Sequence, residues 1–222
     1  MVALNKPDAV IFDWDNTLVD TWPIIYAALV QTFEAFDMEP WSLDMVKSNV
    51  KKSMRDSFPL VFGDEWQKAG EIYQQSYRAT ALENLTPLAA AEKTLQMLKA
   101  QAIPLFIVSN KKGDQLRREV THLGWDHYFL SVVGAGDAAN DKPKTDPVWH
   151  AVKPHGFEEA GNMWFIGDSD ADIECAHNLG CKAMLYGEHA KTLPDYTPNS
   201  LSGFDFIYHA DNHDDLQTLL DF

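Results

Sequence analysis

The apolar run Ala9-Val-Ile-Phe12 stops abruptly at Asp13-Trp-Asp15-Asn-Thr17. A short apolar run with β-branched members predicts a buried strand. Asp, Asn and Thr side chains compete for local backbone bonds, so the strand should end there in a turn. The pattern then changes to a helical period. After Trp22-Pro23, apolar residues recur at Ile25, Leu29, Phe33 and Phe36, and Pro suits a first helical turn. Pro40-Trp41-Ser42 reads as a break and a new N-cap. Further helices are predicted over 45–61 and 65–85, with breaks at Phe58-Pro59 and Phe62-Gly63-Asp64.

From Thr86-Pro87 onward, strands and helices alternate. Apolar runs at 103–108, 129–133, 163–166, 183–186 and 206–208 predict strands. Helical patterns cover 89–100, 113–123, 147–155, 171–179 and 214–220. Residues 188–203, rich in Pro, Ser, Thr and Asn, read as a long loop. This alternation implies a parallel sheet with helices on both faces. The fold class expected is therefore α/β: a Rossmann-like parallel sheet core with an inserted all-helical cap domain. The expected division is 1–17 and 86–222 for the core and 18–85 for the cap.

Composition narrows the partners. The 222 residues carry a formal net charge of −15, which disfavours nucleic acid or an anionic membrane, since both need a basic face. An anionic substrate would have to be drawn in by a local positive site. No apolar run reaches the roughly 18 residues of a spanning helix. The N-terminus lacks the pattern of a signal peptide. Two cysteines, Cys175 and Cys181, suit a reduced, cytoplasmic setting and read as buried small apolar residues rather than ligands. The sequon Asn84-Leu-Thr86 reads as chance.

Open α/β sheets bind ligands at the carboxyl ends of their strands. Asp13 and Asp15 stand at such an end, as a pair that would stay ionised beside a cation, or else as helix-capping acids. A second strand ends in Ser109-Asn110-Lys111, whose hydroxyl, amide and backbone N–H groups suit phosphate oxygens as well as a plain turn. A third ends in Gly167-Asp168-Ser169-Asp170-Ala171-Asp172. Asp168 can complete a carboxylate site with the opening pair. Oxygen donors without His or Cys favour Mg2+. Asp172 lies one helical turn beyond Asp168 and can share its face, while Asp170 reads as a helix N-terminal charge. Lys142 sits in a loop stiffened by Pro143 and Pro147, where it can meet a phosphate as a point charge.

Taken in order, Asp13-Trp-Asp15-Asn-Thr17, Ser109-Asn110, Lys142-Pro-Lys-Thr-Asp-Pro147 and Gly167-Asp168-Ser169 with Asp172 resemble the four motifs of the haloacid dehalogenase-like hydrolases. The helical insert resembles the C1 cap of the phosphoglycolate phosphatase-like branch, and the similarity covers nearly the whole chain. The resemblance implies a Mg2+-dependent phosphomonoester hydrolase working through an aspartyl-phosphate on a small phosphorylated metabolite, with phosphoglycolate the leading candidate. It implies Asp13 as nucleophile and Asp15 as general acid and base. Ser109 and Lys142 would hold the phosphoryl group with Asn110 nearby, and Thr17 would fix Asp15 within that phosphate-binding set. Asp13, the main-chain carbonyl of Asp15, and Asp168 would bind the metal, with Asp172 orienting the site. A monomer or homodimer is expected. Two departures stand out. Asn16 replaces a frequent Gly but tolerates a left-handed backbone. Pro87-Leu-Ala-Ala-Ala91 lacks a frequent Gly, a change expected to be harmless.

Other readings compete. Gly134-Ala-Gly136-Asp-Ala-Ala139 matches a dinucleotide fingerprint, but Pro143 stops the helix that fingerprint must open. A carbon-directed dehalogenase would lack the acid at Asp15. A sugar-phosphate mutase or nucleotidase would use the same residues, whereas a non-catalytic binding protein would tend to lose some of them. Lys51, Lys52 and Arg55 form a basic cluster that could meet a carboxylate or a second phosphate, but a solvated helix face is the favoured reading. His209 and His213 lie near Asp211, Asp214 and Asp215, a grouping that suggests a metal site, but their place in a helix-start turn after the last strand favours surface residues.

Overall fold

The computed structural model describes residues 5–50 and 52–220; Lys51 lies outside them. The first strand, β1 (Ala9–Phe12), is fully buried. Its side chains alternate between two cores, as a pleated strand requires. Val10 and Phe12 enter one, and Ala9 and Ile11 the other.

The chain next forms β2 (Val19–Asp20) and then four helices: α1 (Trp22–Glu34), α2 (Leu43–Asn49), α3 (Met54–Phe62) and α4 (Trp66–Asn84). It returns through β3 (Thr86–Pro87), which pairs antiparallel with β2, so the helical insert leaves and rejoins through one two-stranded neck. The insert has its own apolar cluster, in which Ile25, Leu29 and Phe33 of α1 meet Val46, Phe58 and Tyr77. The single helix predicted over 45–61 is two helices, and the break expected at Phe58-Pro59 is absent. Pro59 lies inside α3, where it removes one helical donor. The rings of Phe58 and Phe62 pack at 5.1 Å across that turn, so packing overrides the local signal.

The rest of the chain runs α5 (Ala91–Ala100), β4 (Leu105–Lys112), α6 (Gly113–His122), β5 (Ser131–Ala135), α7 (Asp146–Val152), β6 (Met163–Gly167), α8 (Asp170–Leu179), β7 (Lys182–Tyr186), β8 (Ser200–Leu201), β9 (Phe204–Asp205), β10 (Tyr208–Ala210) and α9 (His213–Leu220). Among the described residues the main sheet has six strands in the order β10-β7-β6-β1-β4-β5, all pairs parallel. The chain builds outward from β1 through β4 to β5, then resumes on the other side with β6. The switch point therefore falls between β1 and β6, where Asp13 and Asp168 end their strands. Helices α5, α6 and α9 pack against one face, and α7 and α8 against the other. The predicted long loop holds a 3-10 helix, Glu188–Thr192, and the β8–β9 hairpin. The last sheet strand lies at 208–210, slightly beyond the predicted 206–208. No described helix is long and apolar enough to cross a membrane.

Asn16 adopts φ 56°, as its tolerance of that region allows. Ala90, in the stretch lacking the frequent Gly, adopts φ 62° just before α5. In this conformation a Cβ crowds the neighbouring carbonyl. Ala90→Gly is expected to raise stability by roughly 0.5–1 kcal/mol, read from the urea midpoint at unchanged slope.

Candidate active site

Three strand ends converge. The Asp13 N–H donates to the Ile166 carbonyl at 2.9 Å, which ties the end of β1 to β6. The chain then folds tightly over Trp14, whose carbonyl accepts from the N–H groups of Thr17, Leu18 and Val19. The buried Trp14 indole donates to Glu119 Oε2 at 2.7 Å. This anchors the loop that carries Asp13 and Asp15.

Lys142 comes from the loop before α7. Asn110, at the end of β4, grips its backbone from both sides. Asn110 Oδ1 accepts from the Lys142 N–H at 3.0 Å, and Asn110 Nδ2 donates to the Lys142 carbonyl at 3.1 Å. Asn110 thus positions the lysine while also lining the cleft. The Lys142 side chain is 2% exposed, and its ammonium donates to Asp13 Oδ1 at 2.8 Å and Asp172 Oδ1 at 2.6 Å. Burial disfavours its charge, but the two carboxylates outweigh this and hold its pKa above the usual lysine value.

Asp172 is fully buried at the start of α8. Its Oδ2 accepts from the Ser169 N–H and hydroxyl at 3.0 and 2.7 Å, closing a capping box. A Cβ at Gly167 would overlap the Asp172 carboxyl, so the glycine makes room for it. Asp168 accepts from His189 Nε2 at 3.0 Å.

Oxygens of Asp13, Asp168 and Asp172 lie within 4.8 Å of one another. Burial lifts Asp172 to about 7 and also raises Asp168. Three buried carboxylates against one ammonium leave excess negative charge, and oxygen donors of this kind fit a hard divalent cation. The Asp15 carboxylate does not belong to this group.

Asp15 belongs to a separate network. Lys111 Nζ donates to Asp15 Oδ1 at 2.6 Å, to Glu119 Oε2 at 2.7 Å and to the Tyr77 hydroxyl at 2.7 Å. Tyr77 belongs to α4 of the cap, so this lysine joins cap, core and Asp15. Burial lifts the Asp15 carboxyl to about 6; Glu119 and Asp13 add to the rise and Lys111 opposes it. A carboxyl in that range can give and take a proton near neutral pH.

Ser109 is buried at the cleft floor, and its Oγ accepts from the Lys111 N–H at 3.3 Å. Thr17 departs from expectation. It is fully buried and its hydroxyl has no hydrogen-bond partner among the described residues. It contributes no surface to the cleft, so it offers a phosphate no group. Arg55 departs as well: it is no free solvated charge but a bidentate partner of Asp141 at 2.5 and 2.6 Å. Asp141 also accepts from the Gly136 N–H at 3.1 Å, so Arg55 ties the cap to the loop holding Lys142. Lys52 is exposed, as predicted. Gly136 opens no helix; α7 starts at Asp146.

The expectation of surface histidines fails for His213, which is fully buried. Its Nε2 donates to the Thr17 carbonyl at 2.9 Å, and its Nδ1 lies 3.1 Å from the Thr94 hydroxyl. Burial lowers its pKa from 6.5 to about 4. Between these values the unfolded chain binds a proton that the folded chain refuses, so stability rises with pH through that window and is lost as pH falls through it. Wild type is expected to lose roughly 2–3 kcal/mol from this group between about pH 7.5 and about pH 4.5. His213→Asn should lack that component, so urea midpoints of the two proteins should converge on acidification.

Asp13, Asp15, Ser109, Asn110, Lys111, Lys142 and Asp168 line one side of a cleft of about 650 Å3 whose other wall is the cap. Residues 10–186 match the family described as Haloacid dehalogenase-like hydrolase. A phosphoglycolate phosphatase of Aquifex aeolicus is 28% identical over 209 residues, covering 92% of this chain and 97% of the relative. Another, of Neisseria gonorrhoeae, is 30% identical over 191 residues, covering 82% and 80%. The crystal structure of a HAD-superfamily hydrolase from Ehrlichia chaffeensis is 30% identical, covers 98% of this chain and 97% of that one, and aligns with a TM-score of 0.64.

Proposed function

The chain belongs to the haloacid dehalogenase-like hydrolases, and on that premise we propose that it is a Mg2+-dependent phosphomonoester hydrolase using Asp13 as nucleophile. The observation that carries this reading is the separation of the two neighbouring acids: Asp13 is held by Lys142 beside Asp168, while Asp15 is held apart by Lys111. Adjacent carboxylates with different partners can do different chemical work. The names of the relatives support the reaction type, hydrolysis of a phosphate ester. The reading also takes residues 1–17 and 86–222 as the catalytic core and 18–85 as its cap.

Asp13 Oδ1 is fixed by Lys142, which leaves Oδ2 to attack phosphorus opposite the leaving oxygen. The new P–O bond forms as the ester P–O bond breaks, and Asp15 delivers its proton to the departing alkoxide. The result is an aspartyl-phosphate on Asp13 and a free alcohol. Asp15, now ionised, takes a proton from water as the water oxygen attacks phosphorus. Cleavage of the P–O bond to Asp13 then releases phosphate and restores the carboxylate. Lys142 and the cleft-floor hydroxyl of Ser109 meet the phosphoryl oxygens. Asp13, Asp168 and the main-chain carbonyl of Asp15 would hold Mg2+, with Asp172 orienting the site. When bound, the cation neutralises charge on the phosphoryl oxygens.

Purified protein is expected to release inorganic phosphate from members of a broad phosphomonoester panel in Mg2+, and to stop when the metal is chelated. No release from any ester would overturn the reading. Isomerisation of a hexose phosphate without net phosphate release would point instead to a mutase.

A further inference from the structure

The cleft runs from Asp13 well into the cap. Its volume of about 650 Å3 falls in the range that accommodates drug-sized ligands, far more than a phosphoryl group on glycolate needs. The deeper part of the cap side is mostly apolar: Met54, Val61, Phe62 and Tyr73 line it, half-buried on the cap's own core, while Ser48, Asn49, Lys52 and Ser57 add polar groups. The cations nearest the reacting carboxylates are already engaged. Lys142 holds Asp13 and Asp172, Lys111 holds Asp15 and Glu119, and Arg55 holds Asp141. Lys52 and Lys112 line the cleft too, but they are exposed, where water competes for any anion they meet.

One side chain of this wall keeps a polar atom unpaired just beneath the cleft surface, where a small turn of the carboxamide would bring it to a ligand. Gln74 Oε1 is buried and accepts no hydrogen bond among the described residues, while Gln74 Nε2 reaches Met54 Sδ at 4.0 Å. A buried acceptor left unpaired is unfavourable until a donor arrives. Aromatic faces with a thioether beside them favour a ring.

We propose that the cap half of the cleft selects phosphomonoesters whose leaving alcohol carries an apolar ring with a hydrogen-bond donor, the ring packing on Tyr73, Phe62 and Met54 and the donor meeting Gln74 Oε1. The assignment rests on the reading of this site as a phosphomonoester hydrolase. It makes Gln74 a specificity-determining residue and gives glycolate too little surface to fill the cap.

The test uses esters of matched leaving alcohols, so that intrinsic reactivity is constant. Propyl, 3-phenylpropyl and 3-(4-hydroxyphenyl)propyl phosphates are compared with phosphoglycolate in Mg2+. The phenyl ring should raise kcat/KM at least about tenfold over propyl, and the hydroxyl should raise it severalfold more. Gln74→Leu should abolish the hydroxyl's increment, read as the ratio of kcat/KM for the 3-(4-hydroxyphenyl)propyl and 3-phenylpropyl esters, which should fall to about one. Binding is read separately from chemistry as the Tm shift given by 3-phenylpropylphosphonate against propylphosphonate, with the ring compound expected to give the larger shift. Equal kcat/KM for the alkyl pair, or phosphoglycolate preferred over both, would overturn the assignment while leaving the hydrolase reading intact. A larger shift with the ring phosphonate, but no phosphate release from any ester, would support the pocket and overturn the hydrolase reading.

Discussion

Asp13→Asn is expected to lower phosphate release by at least about 10^4-fold, the scale on which enzymes lose rate when a covalent nucleophile is removed. The amide is nearly isosteric with the carboxylate, and its oxygen can still accept from Lys142, which keeps Asp172 as a second partner. Loss of one negative charge beside Asp168 and Asp172 also relieves repulsion. The unfolding free energy from urea titration should therefore stay within about 1 kcal/mol of wild type. A dead, stable variant separates chemistry from folding.

Lys142→Met should fail in both respects. Methionine fills similar volume but removes the ammonium, leaving Asp13 and Asp172 buried without their cationic partner. Breaking a buried pair from one side costs about 3–5 kcal/mol, which for a chain of this size lowers Tm by roughly 6–20 °C. Phosphate release should also fall by a few orders of magnitude, since no positive side chain remains at the phosphoryl oxygens. Circular dichroism melting and a phosphate assay on the folded fraction check the two effects separately. A variant that melts with wild type would mean that the Asp13–Lys142–Asp172 cluster is not held as described.

Much of this site was legible in the sequence because it lies at strand ends. The apolar run before Asp13 and that before Gly167-Asp168 each marked a strand and, with it, the position of an acid. The spacing of Asp172 correctly put it near Asp168, and Asn16 was read correctly as a left-handed residue. What escaped was tertiary. Lys111 appeared only as part of a turn, yet its ammonium reaches Asp15 across 96 residues of sequence. Arg55 looked like one of three solvated charges, and its partner Asp141 stands 86 residues away. Nothing local marks either pairing. His213 was misread for a similar reason. Its place in a helix-start turn after the last strand suggests a surface, but its ring is claimed by Thr94 and by the carbonyl of Thr17. Pro59 shows the opposite limit, where a strong local breaker yields to ring packing.

The destination of the phosphoryl group decides whether Asp13 is the nucleophile. Acid-quenching wild-type protein during turnover in Mg2+, followed by borohydride reduction and peptide mass analysis, should find the modification on Asp13. The Asp13→Asn protein should show none. A phosphoryl group on any other residue, or undiminished turnover by Asp13→Asn, would contradict that role for Asp13.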